Sequence, residues 1–155
     1  MHIEEIRTAS PELWEALGRL LPQLSASAVL PDMRHLDSFL RDSWSRLLIA
    51  REPNEAGQIV GMGMLATYPT PTGIRAVIED VVVDNAFRGR GIGESLMRSL
   101  LDLAQSSGAR GVALTSNPRR TSANRLYRKM GFRRRQTNSY YFDFGLTVGR
   151  SDRGS

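Results

Sequence analysis

Residues 78–107 restrict the fold more tightly than any other part of this 155-residue chain. The apolar run IEDVVV leads into DNAFRGRGIG. From Gly93 to Ser107, Leu96, Met97, Leu100, Leu101, Leu103 and Ala104 then fall on one helical face. A strand, a glycine-rich turn and an amphipathic helix in direct succession call for a sheet with that helix packed on it. Gly89, Gly91 and Gly93 remove side chains from every second position of the turn, while Arg88 and Arg90 keep positive charge beside it. The helix start adds unpaired N–H groups and the positive end of its dipole, and Ser95 offers a hydroxyl in its first turn. Such a unit suits a pyrophosphate. It is not a Walker loop, which needs a lysine here. The dinucleotide pattern G-x-G-x-x-G also fails, since a reading from Gly89 ends on Glu94.

The rest of the chain surrounds this unit with alternating elements. HIEEIRTA reads as an opening strand, and Ser10-Pro11-Glu12 starts a helix that Pro22 is expected to end. A second helix is expected from about Asp32 to Ser45, then strands over RLLIAR, QIVGMGMLATY and IRAVIEDVVV. After the glycine unit come a strand over ARGVALTS, a helix over TSANRLYRKM ended by Gly131, and a last strand around NSYYFDF. The order β-α-α-β-β-β-α-β-α-β describes an α/β sheet with packed helices. One domain over residues 1–144 is expected, with a mobile tail over 145–155. Gly61 and Gly63 weaken their strand unless something approaches closely there.

Composition removes several function classes. There is no cysteine, so disulfides, zinc–thiolate sites and cysteine nucleophiles are excluded. No apolar run approaches the roughly 20 residues of a membrane span, and MHIEEIRTAS lacks a signal-peptide pattern. A cytoplasmic protein without a membrane partner is expected. The charge of +5 comes from 20 arginines and a single lysine, Lys129. Arginine favours bidentate contacts to phosphate or carboxylate, although a solvated surface explains much of the excess equally well. Without a helix-turn-helix or aromatic platform, a nucleic-acid partner is not expected. His2 and His35 have no companion motif, so neither catalysis nor metal binding is assigned to them.

Arg88-x-x-Gly91-x-Gly93, directly after Val81-Val82-Val83, resembles the acyl-CoA signature of the GNAT superfamily of N-acetyltransferases. About 30 residues on, Ala123-Asn124-Arg125-Leu126-Tyr127-Arg128-Lys129-Met130-Gly131-Phe132 is similar to that family's A-x-x-L-Y-x-x-x-G-F segment. The close resemblance covers residues 76–132. It implies a GNAT-like fold, a mixed and mostly antiparallel sheet flanked by helices, with acetyl-CoA as cosubstrate and no metal. The backbone from Gly89 through Arg90, Gly91, Ile92 and Gly93 to Glu94 would then grip the pyrophosphate. The pantetheine arm would run along Val81, Val82 and Val83, whose side chains also serve the core.

The resemblance also implies chemical roles. Direct transfer to an amine needs a neutral nucleophile, yet about one alkylamine in a thousand is neutral at pH 7. Glu79 is the candidate base. By strand alternation it shares a face with Val81 and Val83, and Asp80 points to the other. Tyr127 matches the family tyrosine that protonates the leaving thiolate; otherwise it is an aromatic of the stripe Ala123, Leu126, Tyr127 and Met130. Some members carry asparagine seven residues before that tyrosine, where this chain has Arg120, so pantetheine contacts pass to Asn117 or Asn124. Arg125, Arg128 and Lys129 are within reach of a 3′-phosphate or are simply solvated. The acceptor is an amine of unread identity. Asp32, Asp37, Asp42 and Glu79 are candidates to attract it, and protein N-termini, lysines and a non-catalytic acyl-CoA sensor stay open. Dimers are common in the family, and Tyr140, Tyr141, Phe142 and Phe144 are expected at a homodimer interface.

Overall fold

The computed structural model describes residues 1–145. Its apolar segments pair in chain order: β1 (His2–Ile6), β2 (Ser45–Glu52), β3 (Gln58–Thr70) and β4 (Gly73–Val83) are antiparallel neighbours. β5 (Val112–Ala113) adds to β4 in parallel, giving the order β1-β2-β3-β4-β5. Helices α1 (Pro11–Leu24) and α2 (Met33–Arg41) cover one face, packing Leu13, Leu17, Leu20, Leu36 and Leu40 on Leu47, Ile49, Met62 and Val82. Helices α3 (Ile92–Ser106) and α4 (Thr121–Lys129) cover the other, where Leu96, Met97, Leu100 and Tyr127 meet Leu48, Leu65, Ile78 and Val81. The mixed, mostly antiparallel sheet between helices is the expected architecture.

The helix starts follow local chemistry. Ser10 Oγ accepts from Leu13 N–H at 3.1 Å, and Asp32 Oδ1 accepts from His35 N–H at 2.7 Å. Helix α1 runs past Pro22 to Leu24 instead of stopping there. Proline deletes only one hydrogen bond in a final turn, and Ser25 N–H closes the end on Leu21 O at 3.0 Å. Helix α2 is shorter than expected, because Asp42 leaves helical geometry and Ser45 already belongs to β2.

Gly61 and Gly63 face α3. A Cβ on Gly63 would lie 2.8 Å from Leu100 Cδ1, and one on Gly61 would lie 3.2 Å from Leu96 Cδ1 and 3.1 Å from the Val82 carbonyl. The close approach that these strand glycines imply is therefore helix packing.

β4 carries the main irregularity. Met62 is level with Val82 but Met64 with Glu79, so Asp80 and Val81 together oppose Gly63. Asp80 accommodates the extra residue at φ +53. A bulge of this kind bends the strand and shifts its alternation by one. Ala76 and Ile78 face α3 before it, and Val81 faces α3 after it. Glu79 therefore does not share a face with Val81 and Val83, which corrects the simple two-residue count.

Beyond Ala76–Val112 and Val77–Ala113, β4 and β5 no longer pair. The expected strand 109–116 shrinks to two residues because β4 bends away at the bulge. The last strand expected around residues 138–144 does not form. Tyr140 and Tyr141 are 88% and 91% exposed there, and Phe142 contacts Phe144 at 5.4 Å. Strand propensity reflects fit to a neighbouring pleated surface, and no strand lies alongside this segment. The tail expected over 145–155 lies, from residue 146 on, outside the described residues.

The glycine packing is testable. Gly63→Ala should cost about 1–3 kcal/mol by overpacking against Leu100, and Leu100→Ala about 2–5 kcal/mol as a cavity. In urea unfolding the double variant should lose clearly less than the two together, because the truncated side chain makes room for the new methyl.

Candidate active site

The divergence of β4 from β5 leaves one strand edge without a partner beside the N-termini of two helices. A groove of about 640 Å³ opens there. It is lined by Val81, Val82 and Val83, by Arg88, Gly89, Gly91, Ile92, Gly93 and Glu94, and by Arg119 to Ala123 with Leu126 and Tyr127.

At one end lies the glycine turn. Asp84 starts a single 3-10 turn (Asn85–Phe87) by accepting from Ala86 N–H at 3.1 Å, and Gly91 caps α3. Gly89 and Gly91 adopt φ +77 and +80, and a Cβ on either would meet nothing within 4 Å. Their role is thus conformational and leaves open space in front of the turn. Helical bonding starts with Ser95 N–H donating to Gly91 O at 3.0 Å, so the N–H groups of Ile92, Gly93 and Glu94 are the orphan donors of α3. Gly93 is different: a Cβ there would sit 3.5 Å from Leu126 and 3.7 Å from Val83, in the seam where α3, α4 and β4 meet.

Arginines occupy the open edge of β4. Arg88 Nε donates to the Val83 carbonyl at 3.0 Å, and Arg120 Nη2 donates to the Val81 carbonyl at 2.9 Å. Arg90 lies over the ring of Phe87, a groove residue, at 4.9 Å and does not itself line the groove. Glu94 is bridged at 2.6 Å by Lys129 and at 2.7 Å by Arg98. Those two hydrogen bonds, Lys129 foremost, hold its carboxyl below the usual range. The acid at the start of α3 is thereby neutralised by α4 and by its own helix. Lys129 is committed to this bridge, and Arg128 donates to Asn124 O at 3.2 Å.

At the other end Tyr127 is 7% exposed and packs against Phe132, the ring centroids 5.9 Å apart and the planes tilted at 59°. Burial raises its pKa, with the nearby Arg120 charge opposing, so the phenol is protonated at neutral pH. Glu79 is exposed next to the bulge and outside the groove lining. Its pKa is raised by partial desolvation and then by the Asp80 carboxylate.

A match to the acetyltransferase (GNAT) family spans residues 10–132. The chain belongs to that family. It is 42% identical over 80 residues to a glucosamine 6-phosphate N-acetyltransferase of Trypanosoma brucei brucei, covering 50% of this chain and 52% of that protein. It is 30% identical over 127 residues to N-acetyltransferase 8 of Rattus norvegicus, covering 80% and 56%. The chain thus spans about half the length of the curated relatives it matches. Among solved structures, an acetyltransferase of Trypanosoma brucei is 25% identical over 91% of this chain and 99% of that one, with TM-score 0.72. The glucosamine-6-phosphate N-acetyltransferase of Arabidopsis thaliana, 23% identical with TM-score 0.74 over 92% and 100%, shares the fold.

Of the residues singled out from the sequence, the groove gathers Val81 to Val83, Arg88, Gly89, Gly91 to Glu94 and Tyr127. Arg90, Ser95, Asn117, Asn124 and Glu79 lie outside its lining. Asn124 Nδ2 donates to Asn117 O at 2.9 Å, and Asn117 Oδ1 accepts from Arg119 N–H at 2.9 Å, so these asparagines brace the loop before α4. Arg119, Thr121 and Ser122 line the groove although no motif marked them. The available signal was their place at the start of a helix, directly before the tyrosine segment. Asp32, Asp37 and Asp42 have structural partners in His35 N–H, Arg41 and Trp44 N–H. Among the described residues no helix is long and apolar enough to cross a membrane.

The two glutamates should titrate in opposite senses. Glu79, raised in the fold, favours the folded state below its unfolded value near 4.3 and loses that contribution as pH rises through the folded pKa. Glu94, lowered in the fold, contributes above that value and loses its contribution as pH falls. Carboxyl-carbon NMR should find Glu79 titrating above Glu94, and the order should narrow in Lys129→Met.

Proposed function

We propose that this chain is an N-acetyltransferase that moves the acetyl group of acetyl-CoA directly to a primary amine in a ternary complex. One observation carries the reading: a single groove joins the anion-binding turn at α3, the open edge of β4 and the buried, protonated Tyr127. In this reading the N–H groups from Gly89 to Glu94 hold the pyrophosphate, and pantetheine lies along Val81 to Val83. Arg90 donates to the Ala86 carbonyl and Ser95 N–H to the Gly91 carbonyl, bracing the turn, and Asn117 and Asn124 brace the loop that carries Arg119 and Arg120. The amine nitrogen attacks the thioester carbonyl, forming C–N and breaking C–S. Tyr127 Oη gives its proton to sulfur, while the amine's surplus proton leaves through Glu79 or solvent.

The acceptor class draws support from the relatives. Glucosamine 6-phosphate, named in the Trypanosoma brucei brucei relative, carries a primary amine on a small molecule. A small amine is therefore favoured over a protein N-terminus or lysine. A homodimer completes the reading, because Tyr140, Tyr141, Phe142 and Phe144 form an exposed apolar segment that a second copy would cover. Light scattering should give twice the chain mass, and a monomer at high concentration would reject this part.

Acetyl-CoA should raise the thermal midpoint by mass action. Gly91→Val should abolish the shift, since it strains a left-handed position and fills the space before the turn. No shift in the wild type at millimolar coenzyme A would remove the cosubstrate from the proposal. Tyr127→Phe keeps the packing on Phe132 and deletes the proton donor. Its turnover in a thiol-release assay over an amine panel should fall roughly 10- to 1000-fold with coenzyme A affinity retained. Full turnover would return Tyr127 to the core, and coenzyme A binding without thiol release for any amine in the panel would favour an acyl-CoA sensor.

A further inference from the structure

Arg120 crosses the groove from the start of α4 to β4, its Nη2 donating at 2.9 Å to the Val81 carbonyl, 39 residues away in sequence. This bond uses one of five guanidinium N–H donors, and the carbonyl keeps a second lone pair for a ligand amide. Arg120 is partly buried, and Tyr127 lines the same wall. The guanidinium thus places a cation beside the phenol. Tyr127 senses it, since the Arg120 charge opposes the effect of burial on that hydroxyl.

We propose that Arg120 is a further catalytic residue of the transfer, its guanidinium lying against the thioester sulfur and stabilising the negative charge that sulfur gains as the C–S bond breaks. The inference rests on reading the groove as a thioester site. The amine nitrogen forms the C–N bond and the C–S electron pair departs on sulfur. Arg120 holds that thiolate until Tyr127 Oη delivers its proton, and the phenolate regains one from solvent as the amine's surplus proton leaves. A half-buried cation is suited to this task because charge interactions are stronger away from bulk water.

The other charged groups leave this role to Arg120. Arg88 is tied to the Val83 carbonyl, two residues farther along the edge. Arg119 lines the groove from the exposed loop, and Glu94 is bridged by Lys129 and Arg98 at the anion end. Glu79 and Asp80 lie at the bulge, upstream of Val81, where their negative charge would oppose a thiolate.

The test reads the thiol itself. Free coenzyme A is bound to wild type, R120K and R120M, and its thiolate is titrated by ultraviolet absorbance in the complex. In wild type and R120K the thiol should titrate about one unit or more below its value in R120M. Equal midpoints with coenzyme A bound in all three would overturn the role of Arg120 and leave the cosubstrate reading intact. Failure of wild type to bind coenzyme A would sink both. Should R120M alone fail to bind, R120Q replaces it, because its amide can still donate to the Val81 carbonyl. A midpoint in R120Q above wild type supports the proposal, and an unchanged one overturns it. Loss of binding in both neutral variants also overturns it, by making Arg120 only a cap on that carbonyl.

Discussion

Everything at the groove depends on the bulge in β4. Asp80, at φ +53, inserts one residue opposite Gly63, and the strand bends away from β5 after two paired positions. The edge at Val81 and Val83 is thereby left without a neighbouring strand. Backbone carbonyls removed from strand pairing still need partners, and Arg120 and Arg88 supply them. A ligand with amide groups of its own can share that edge as a neighbouring strand would. The bulge also sets which side chains face α3 and leaves Glu79 and Asp80 adjacent and exposed. Partial desolvation, and then the neighbouring Asp80 carboxylate, raise the pKa of Glu79.

The glycines divide into two kinds that composition alone cannot separate. Gly61 and Gly63 let α3 lie close on the sheet, with Leu96 and Leu100 filling the space that Cβ atoms would take. Gly89 and Gly91 have nothing near them and adopt left-handed backbone instead. The first pair seats the helix, and the second shapes the turn that leads into it. Together they fix where the N–H groups at the start of α3 point. The bridge from Lys129 to Glu94 then ties α4 to that same helix end.

The arginine excess likewise resolves into separate tasks. Arg46 pairs with Glu5, and Arg51 with Glu4 and Glu12, fastening β1 and α1 to β2. Arg19 donates to Ile59 O at 2.7 Å. Arg88 and Arg120 serve the β4 edge, and Arg90 packs on Phe87. The cations that bear on the proposed chemistry are thus a small part of the total. They are distinguished by the β4-edge carbonyls they reach, those of Val81 and Val83.

The sequence by itself determined the mixed α/β class, the strand–turn–helix unit at residues 81–106 and the second segment ending Gly131-Phe132. Each of these rests on local patterning: apolar spacing, glycine placement and helix caps. The inward place of Tyr127 on α4 was also legible, from the helical stripe it shares with Ala123, Leu126 and Met130. Only the tertiary structure decided the rest. A bulge is a mismatch between two strands and leaves no mark in one of them, so counting residues by twos put Glu79 on the wrong face. Helix α1 passes Pro22 because the helix was already in its last turn. The aromatic run at residues 140–144 has strand-like composition but no neighbour to pair with, since pairing is a property of two segments. Arg120 joins the groove for the same reason: its partner, the Val81 carbonyl, lies 39 residues away and is exposed only because β4 and β5 part.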